Sequence, residues 1–143
     1  MGVHADAVAF VGGAAILGSA VDAGLGLAQL VRRGLPADAV RFMLESGRLS
    51  PVELDRIVLP RRTLAHRRRL GTLTPEQSDR LVRVARVLAM AEDTFGNQAE
   101  AAIWLRRRNT ALSGEQPIDL LDTDGGTREV ETLLGRIAYG IAA

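Results

Sequence analysis

The sequence predicts an all-α fold, and three observations carry that expectation. No segment sustains the period-two alternation of a half-buried strand, whereas apolar residues recur three and four apart through most of the chain. Two capping boxes, Ser50-Pro51-Val52-Glu53 and Thr74-Pro75-Glu76-Gln77, each mark a helix start with proline at its first position. The punctuation is almost all helical, with Gly34-Leu35-Pro36, Gly47 and Gly96 at the ends of periodic stretches.

Taken in order, Ala7 to Val21 is a run of fifteen residues without a charge, five of them alanine and three glycine. It falls short of the roughly 20 apolar residues of a membrane span. Its flanks, His4 and Asp6, lack the basic character of a signal peptide. The expectation is a small-residue segment packed closely on the body or on a partner, with no membrane association. Leu25, Leu27, Leu30 and Val31 then make a helical stretch that Gly34-Leu35-Pro36 ends. A helix over 37–45 follows, with Val40, Phe42 and Leu44 available for burial and Gly47 just past its end. The Ser50 box opens a short helix that turns Leu54, Ile57 and Val58 inward and stops before Pro60.

Residues 59–71, L-P-R-R-T-L-A-H-R-R-R-L-G, hold five arginines within nine residues and no acid. In a helix at about 100° per residue, Leu64 points to one side while Arg62, His66 and Arg69 share the other. A short helix, a tight break and a second, basic helix make a helix-turn-helix pattern. One reading of this run is a solvated charged face; the other is a helix that meets phosphates. Density of charge without acidic partners favours nucleic acid. The residues expected to contact DNA are Arg61, Arg62, Thr63, His66, Arg67 and Arg69; Arg68 falls on the Leu64 side.

The Thr74 box opens the longest helix, to about Thr94. Leu81, Ala85 and Leu88 form its apolar stripe, Arg83, Arg86 and Asp93 face away, and Asp79 pairs with Arg83 one turn on. Gly96 ends it. Asn97 with Glu100 begins another, to about Arg108, burying Ile103 and Trp104. Its Arg106-Arg107-Arg108 end suits the helix dipole, which favours a structural role over DNA contact. Pro117 to Leu121 reads as a short helix, Asp124-Gly125-Gly126 as a turn, and Thr127 as the cap of a last helix with Val130, Leu133, Leu134 and Ile137 apolar.

With 143 residues, 47% of them apolar, the chain can bury a sizeable core. Its net charge of +1 divides unevenly: residues 1–71 carry +4 and residues 72–143 carry −3. A front half that meets an anion and a back half that meets something else follows from that asymmetry, and the expected domains are 1–71 and 72–143. Every cation is arginine, and the absence of cysteine removes thiolate chemistry and fits a cytoplasmic location. Two histidines, His4 and His66, are too few for a histidine metal cluster. Gly24-Leu25-Gly26 lacks the preceding strand and third glycine of a dinucleotide fingerprint, and no P-loop, G-x-S-x-G or H-E-x-x-H occurs. Asp119, Asp122 and Asp124 miss the calcium-loop spacing and read as caps and solubilising charges. The chemistry expected is binding rather than catalysis, with no metal and no cofactor.

The second half resembles a known family. L-T-P-E-Q-S-D-R-L-V-R-V-A-R-V (73–87), A-E-D-T-F-G-N (91–97), A-A-I-W-L-R-R-R-N-T-A-L-S-G-E-Q-P-I-D-L-L-D-T-D-G-G (101–126) and V-E-T-L-L-G-R-I-A-Y-G (130–140) look like the toxin-binding domain of Xre/MbcA/ParS antitoxins. The marks are the W-L-x-x-x-N-x-A-L-x-G-x-x-P core, the following L-L-x-T-x-x-G and the closing R-I-x-Y-G. G-L-P at 34–36 and R-T-L at 62–64 are similar to that family's helix-turn-helix region, so the resemblance covers roughly residues 20–143.

The resemblance implies an antitoxin of a type II toxin–antitoxin system. Its partner in the family is a RES-domain toxin, an enzyme that consumes NAD or transfers its ADP-ribose. The C-terminal helix and tail would block that enzyme, and the N-terminal domain would repress the operon by binding operator DNA. Carried over, the toxin-binding residues are Trp104, Arg136, Ile137, Tyr139, Gly140, Ile141, Ala142 and Ala143. Family tails often carry a bulky side chain where this chain has Ala142. By the same analogy the protein is a homodimer. The alternative is a stand-alone helix-turn-helix regulator whose back half is a helical dimerisation domain.

Overall fold

A computed structural model describes residues 6–140; Ile141, Ala142, Ala143 and His4 lie outside the described residues. The chain runs through α1 (Ala7–Phe10), α2 (Gly13–Leu17), α3 (Leu25–Arg33), α4 (Asp38–Glu45), α5 (Pro51–Ile57), α6 (Arg61–Leu70), α7 (Pro75–Phe95) and α8 (Gln98–Arg106). Two 3₁₀ turns, η1 (Thr110–Leu112) and η2 (Pro117–Asp122), lead into α9 (Asp124–Ala138). The all-α expectation holds: among the described residues there is no strand, only isolated antiparallel bridges between Pro36 and Thr72 and between Asn109 and Glu115.

Helix α7 is the axis. Its 21 residues span about 32 Å, and α1, α3, α8 and α9 all pack on it. Its start is the expected capping box: Thr74 Oγ1 accepts from the Gln77 amide at 3.1 Å and Gln77 Oε1 accepts from the Thr74 amide at 2.9 Å. Leu81, Val84, Ala85, Val87 and Leu88 are buried, so the apolar arc is wide enough to take neighbours on several sides. Buried residues form one cluster from Phe10 to Leu134, and it includes side chains from both sides of residue 71. The N-terminal segment packs on this body as expected, chiefly through Phe10, Val11 and Leu17, with Ala7, Val8 and Ile16 partly buried beside them.

Several local expectations are corrected. In α4 the buried face is Ala39, Val40 and Met43. Phe42, next but one to Val40 and so across the helix from it, is exposed. In α8 the inward stripe is Ala101 and Leu105, with Trp104 half-buried. Ile103, likewise across the helix from Ala101, is 50% exposed. That helix ends at Arg106, two residues short of the expected end. Arg83 does not face away: its side chain is 13% exposed, with Asp79 at 3.4 Å. Asp124-Gly125-Gly126 is not a turn but the first turn of α9, capped by Thr123, whose hydroxyl accepts from the Gly126 amide. Thr127 is buried inside that turn and donates to the Thr123 carbonyl at 2.7 Å. Gly126 is there because a Cβ would stand 2.1 Å from the Leu120 carbonyl oxygen.

Candidate functional site

The basic helix is positioned by what precedes it. Ser50 Oγ accepts from the Glu53 amide and Glu53 Oε1 from the Ser50 amide, fixing the start of α5. Leu54, Ile57, Val58 and Leu59 then bury that helix and the break after it. Pro60 offers no side-chain oxygen to cap α6, so Asp55 of α5 accepts from the Arg61 amide at 2.8 Å. Helix α6 turns Leu64 inward, and Arg62, His66 and Arg69 share the exposed side. Arg61 and Arg68 are exposed as well, while Thr63 and Arg67 are half-buried.

Arg67 already has a structural task. Its Nε donates to the Thr72 carbonyl at 2.8 Å, closing the end of α6 beyond Gly71. That segment is pinned in turn: the Leu73 amide donates to the Leu35 carbonyl and the Ala37 amide to the Gly71 carbonyl, while the buried Ser78 Oγ accepts from the Leu35 amide.

The arginines sort sharply by partner. Arg41, Arg48, Arg56, Arg83, Arg86, Arg106 and Arg128 each pair with a carboxylate. Arg67 and Arg80 donate to backbone carbonyls. Among the described residues the guanidinium groups of Arg61, Arg62, Arg68 and Arg69 have no acidic partner, nor do those of Arg32 and Arg33 at the end of α3. Four unpaired guanidinium groups on one short helix make a strip that attracts phosphate.

At the other end of the chain, Trp104 is half-buried with its ring 5.4 Å from that of Phe95, so it fastens α8 to the end of α7. Arg136 is exposed, without an acidic partner among the described residues. Ile137 packs on the core, whereas Tyr139, at the C-cap of α9, is 86% exposed. Gly140 follows with φ of +71°, and the remaining expected contacts, Ile141, Ala142 and Ala143, lie outside the described residues. Thus Arg136 and Tyr139 present outward at the end of α9, and Trp104 and Ile137 are half-buried against the core.

Sequence reasoning missed a set of ion pairs that joins the two halves. Arg106 grips both Glu53 oxygens, at 2.9 and 2.8 Å, and donates to the Arg48 carbonyl at 3.1 Å. Arg48 grips Glu92 at 2.7 and 3.1 Å with its guanidinium over the Phe10 ring, and Arg56 pairs with Asp119. Burial raises the Glu53 pKa, but hydrogen bonds from Arg106 and Ser50 and the Arg106 charge outweigh it, holding the carboxyl below the ordinary 4.5.

Residues 26–86 match the antitoxin Xre-like helix-turn-helix domain, and residues 90–140 match the antitoxin Xre/MbcA/ParS C-terminal toxin-binding domain. An antitoxin Xre of Pseudomonas putida is 44% identical over 108 residues, which are 75% of this chain and 67% of that protein. The chain belongs to the Xre antitoxin family. A second antitoxin Xre, from Photorhabdus laumondii, is 39% identical over 59 residues, 41% of this chain and 40% of its own length. In this Xre-family chain both domain matches draw on α7: the first ends at 86 and the second begins at 90. No helix among the described residues is long and apolar enough to cross a membrane.

Proposed function

We propose that the protein neutralises a RES-domain toxin, one that consumes NAD or ADP-ribosylates a protein, and that it represses its own operon. In this reading residues 1–71 bind DNA and residues 72–143 bind the toxin. The protein acts in the cytoplasm as a homodimer within the toxin–antitoxin complex. It carries no catalytic residues of its own. The observation that carries the reading is the pairing of the two surfaces within one Xre-family chain: an acid-free cationic strip on α6, and Arg136 with Tyr139 on the end of α9. A large aromatic side chain in solvent at the C-cap of a helix is the kind of anchor a partner pocket takes up.

On α6, Arg61, Arg62, Thr63, His66, Arg67 and Arg69 are the proposed DNA contacts, with Arg67 the most constrained because Thr72 holds it. Replacing Arg62 by alanine is expected to weaken operator binding by about 1–3 kcal/mol if the guanidinium meets a base edge. If it meets only phosphate, binding to all duplexes weakens together and the slope of affinity against salt drops by about 1. Titration on operator and unrelated duplexes at several salt concentrations separates the two. Unchanged affinity and unchanged slope would remove Arg62 from the interface.

The toxin half is tested by growth after induction of the neighbouring gene. The full chain is compared with a chain ending at Ala138 and with Tyr139→Ala. Both variants keep Ile137, which packs on the core. Rescue by the full chain and failure of both variants is the expected result. Rescue by all three would keep an antitoxin and discard the tail as its inhibitor; no toxicity to rescue would leave a stand-alone DNA-binding regulator.

A further inference from the structure

Arg107 and Arg108 lie in the half of the chain that matches the toxin-binding domain, yet the fold ties them to the first helix of the helix-turn-helix. Arg106, the last residue of α8, is locked by both its Glu53 contacts and by the Arg48 carbonyl, all at the N-terminal end of α5. Arg106 also donates to the Ala102 carbonyl at 3.3 Å, so the offset of the α8 dipole is already in place. At Arg107 the backbone leaves the helix, with φ −92° and ψ 138°. Arg107 and Arg108 are both exposed, and neither has an acidic partner among the described residues. Two residues of chain extend at most about 7 Å, so the backbone of both stays within that distance of Arg106, whose guanidinium lies on Glu53 at the start of α5. The nearest acid of α5, Glu53, is closed off by Arg106 and does not oppose an incoming anion there.

When a helix-turn-helix docks, the second helix enters the major groove and the first crosses the sugar–phosphate backbone. We propose that Arg107 and Arg108 contact DNA phosphates flanking the site that α6 enters, so that the DNA footprint extends into the toxin-binding half. This rests on the DNA-binding reading of α6. The ligand is the phosphodiester backbone, recognised by charge and not by sequence. Such a footprint brings DNA and toxin onto one domain, where a bulky toxin close to α8 would alter DNA affinity without touching α6.

The test uses the full chain and its double variants Arg107→Ala/Arg108→Ala and Arg107→Lys/Arg108→Lys. They are titrated with a duplex from upstream of the protein's own gene and with an unrelated duplex over a series of salt concentrations. The alanine variant is expected to bind both duplexes more weakly by the same factor, with a log–log salt slope lower by about 2, from about 0.9 per phosphate contact. The lysine variant is expected to keep most of that slope, because phosphate contacts need charge and not the guanidinium fork. Arg62→Ala serves as the reference for the α6 site. If it lowers the slope and the Arg107/Arg108 alanine variant does not, the proposal is overturned and the α6 reading stands. If the unmodified chain binds neither duplex, the α6 reading falls and takes the proposal with it. Loss of toxin binding with DNA binding intact would assign the two arginines to the protein partner and overturn the proposal as well.

Discussion

Replacing Gly34 by alanine is expected to cost more than about 3 kcal/mol of stability, a large part of the roughly 5–15 kcal/mol that holds a domain of this size folded. Two effects add. Gly34 has φ +96° and ψ 125°, a conformation that side chains rarely adopt and that costs about 1–3 kcal/mol when imposed on one. A Cβ there would also stand 2.2 Å from the Leu73 carbonyl oxygen and 3.4 Å from its carbon. The obstacle is backbone, and that backbone is fixed by the Leu73–Leu35 and Ala37–Gly71 hydrogen bonds at 2.8 and 3.0 Å. Relief therefore requires the segment that ends α6 to move, so DNA binding should fall with stability. Gly71→Ala is the control. Its φ is +91° but a Cβ would meet nothing within 4 Å, so it carries only the backbone cost, about 1–2 kcal/mol. Denaturant melts of the two variants decide the matter: equal losses would show that close packing at Gly34 contributes nothing.

Gly34 also marks the limit of what the sequence discloses. Its position just past a helix was legible from Gly34-Leu35-Pro36, but its approach to Leu73 was not, because that partner comes from beyond α6, far along the chain. The same division runs through the molecule. Helix starts at Ser50 and Thr74 were legible because capping is local chemistry between residues three apart. The exposed side of α6 was legible because Leu64 alone had to be buried. Gly125-Gly126 misled because a pair of glycines reads as a turn, and the need for Gly126, the Leu120 carbonyl, becomes visible only when η2 packs against α9. Ile103 and Phe42 misled because hydrophobicity was weighed before phase: each stands across its own helix from a buried residue. The cationic strip was found as a run of arginines. The census that separates Arg62 from Arg106 needed the carboxylates' places in space.

Arg106→Ala carries the second large effect. Glu53 serves two partners at once: its Oε1 caps α5 through the Ser50 amide, and both oxygens accept from the Arg106 guanidinium. Its side chain is only 13% exposed, so removing Arg106 leaves a largely desolvated carboxylate with the Ser50 amide alone. Stranding one partner of such a pair is expected to cost about 2–4 kcal/mol at neutral pH, less than for a fully buried pair because Arg106 is 32% exposed. The pH dependence identifies the cause. Burial raises the Glu53 pKa, and the Arg106 and Ser50 hydrogen bonds with the Arg106 charge override it, leaving the folded-state value below 4.5. A depressed carboxyl pKa contributes stability above the unfolded value, and that contribution disappears as pH falls through the folded value. The stability gap between the unmodified chain and Arg106→Ala should therefore be widest above pH 4.5 and close in acid, where Glu53 is protonated in both. Denaturant melts across that range measure it. A gap that keeps its size in acid would mean that Arg106 acts through packing and its bond to the Arg48 carbonyl, not through Glu53. Because this pair joins the end of α8 to the start of α5, its loss is also expected to loosen α5, within the segment that matches the helix-turn-helix domain, from the segment that matches the toxin-binding domain. The two surfaces of this Xre-family chain are held in one frame by a guanidinium on one side and a capping carboxylate on the other.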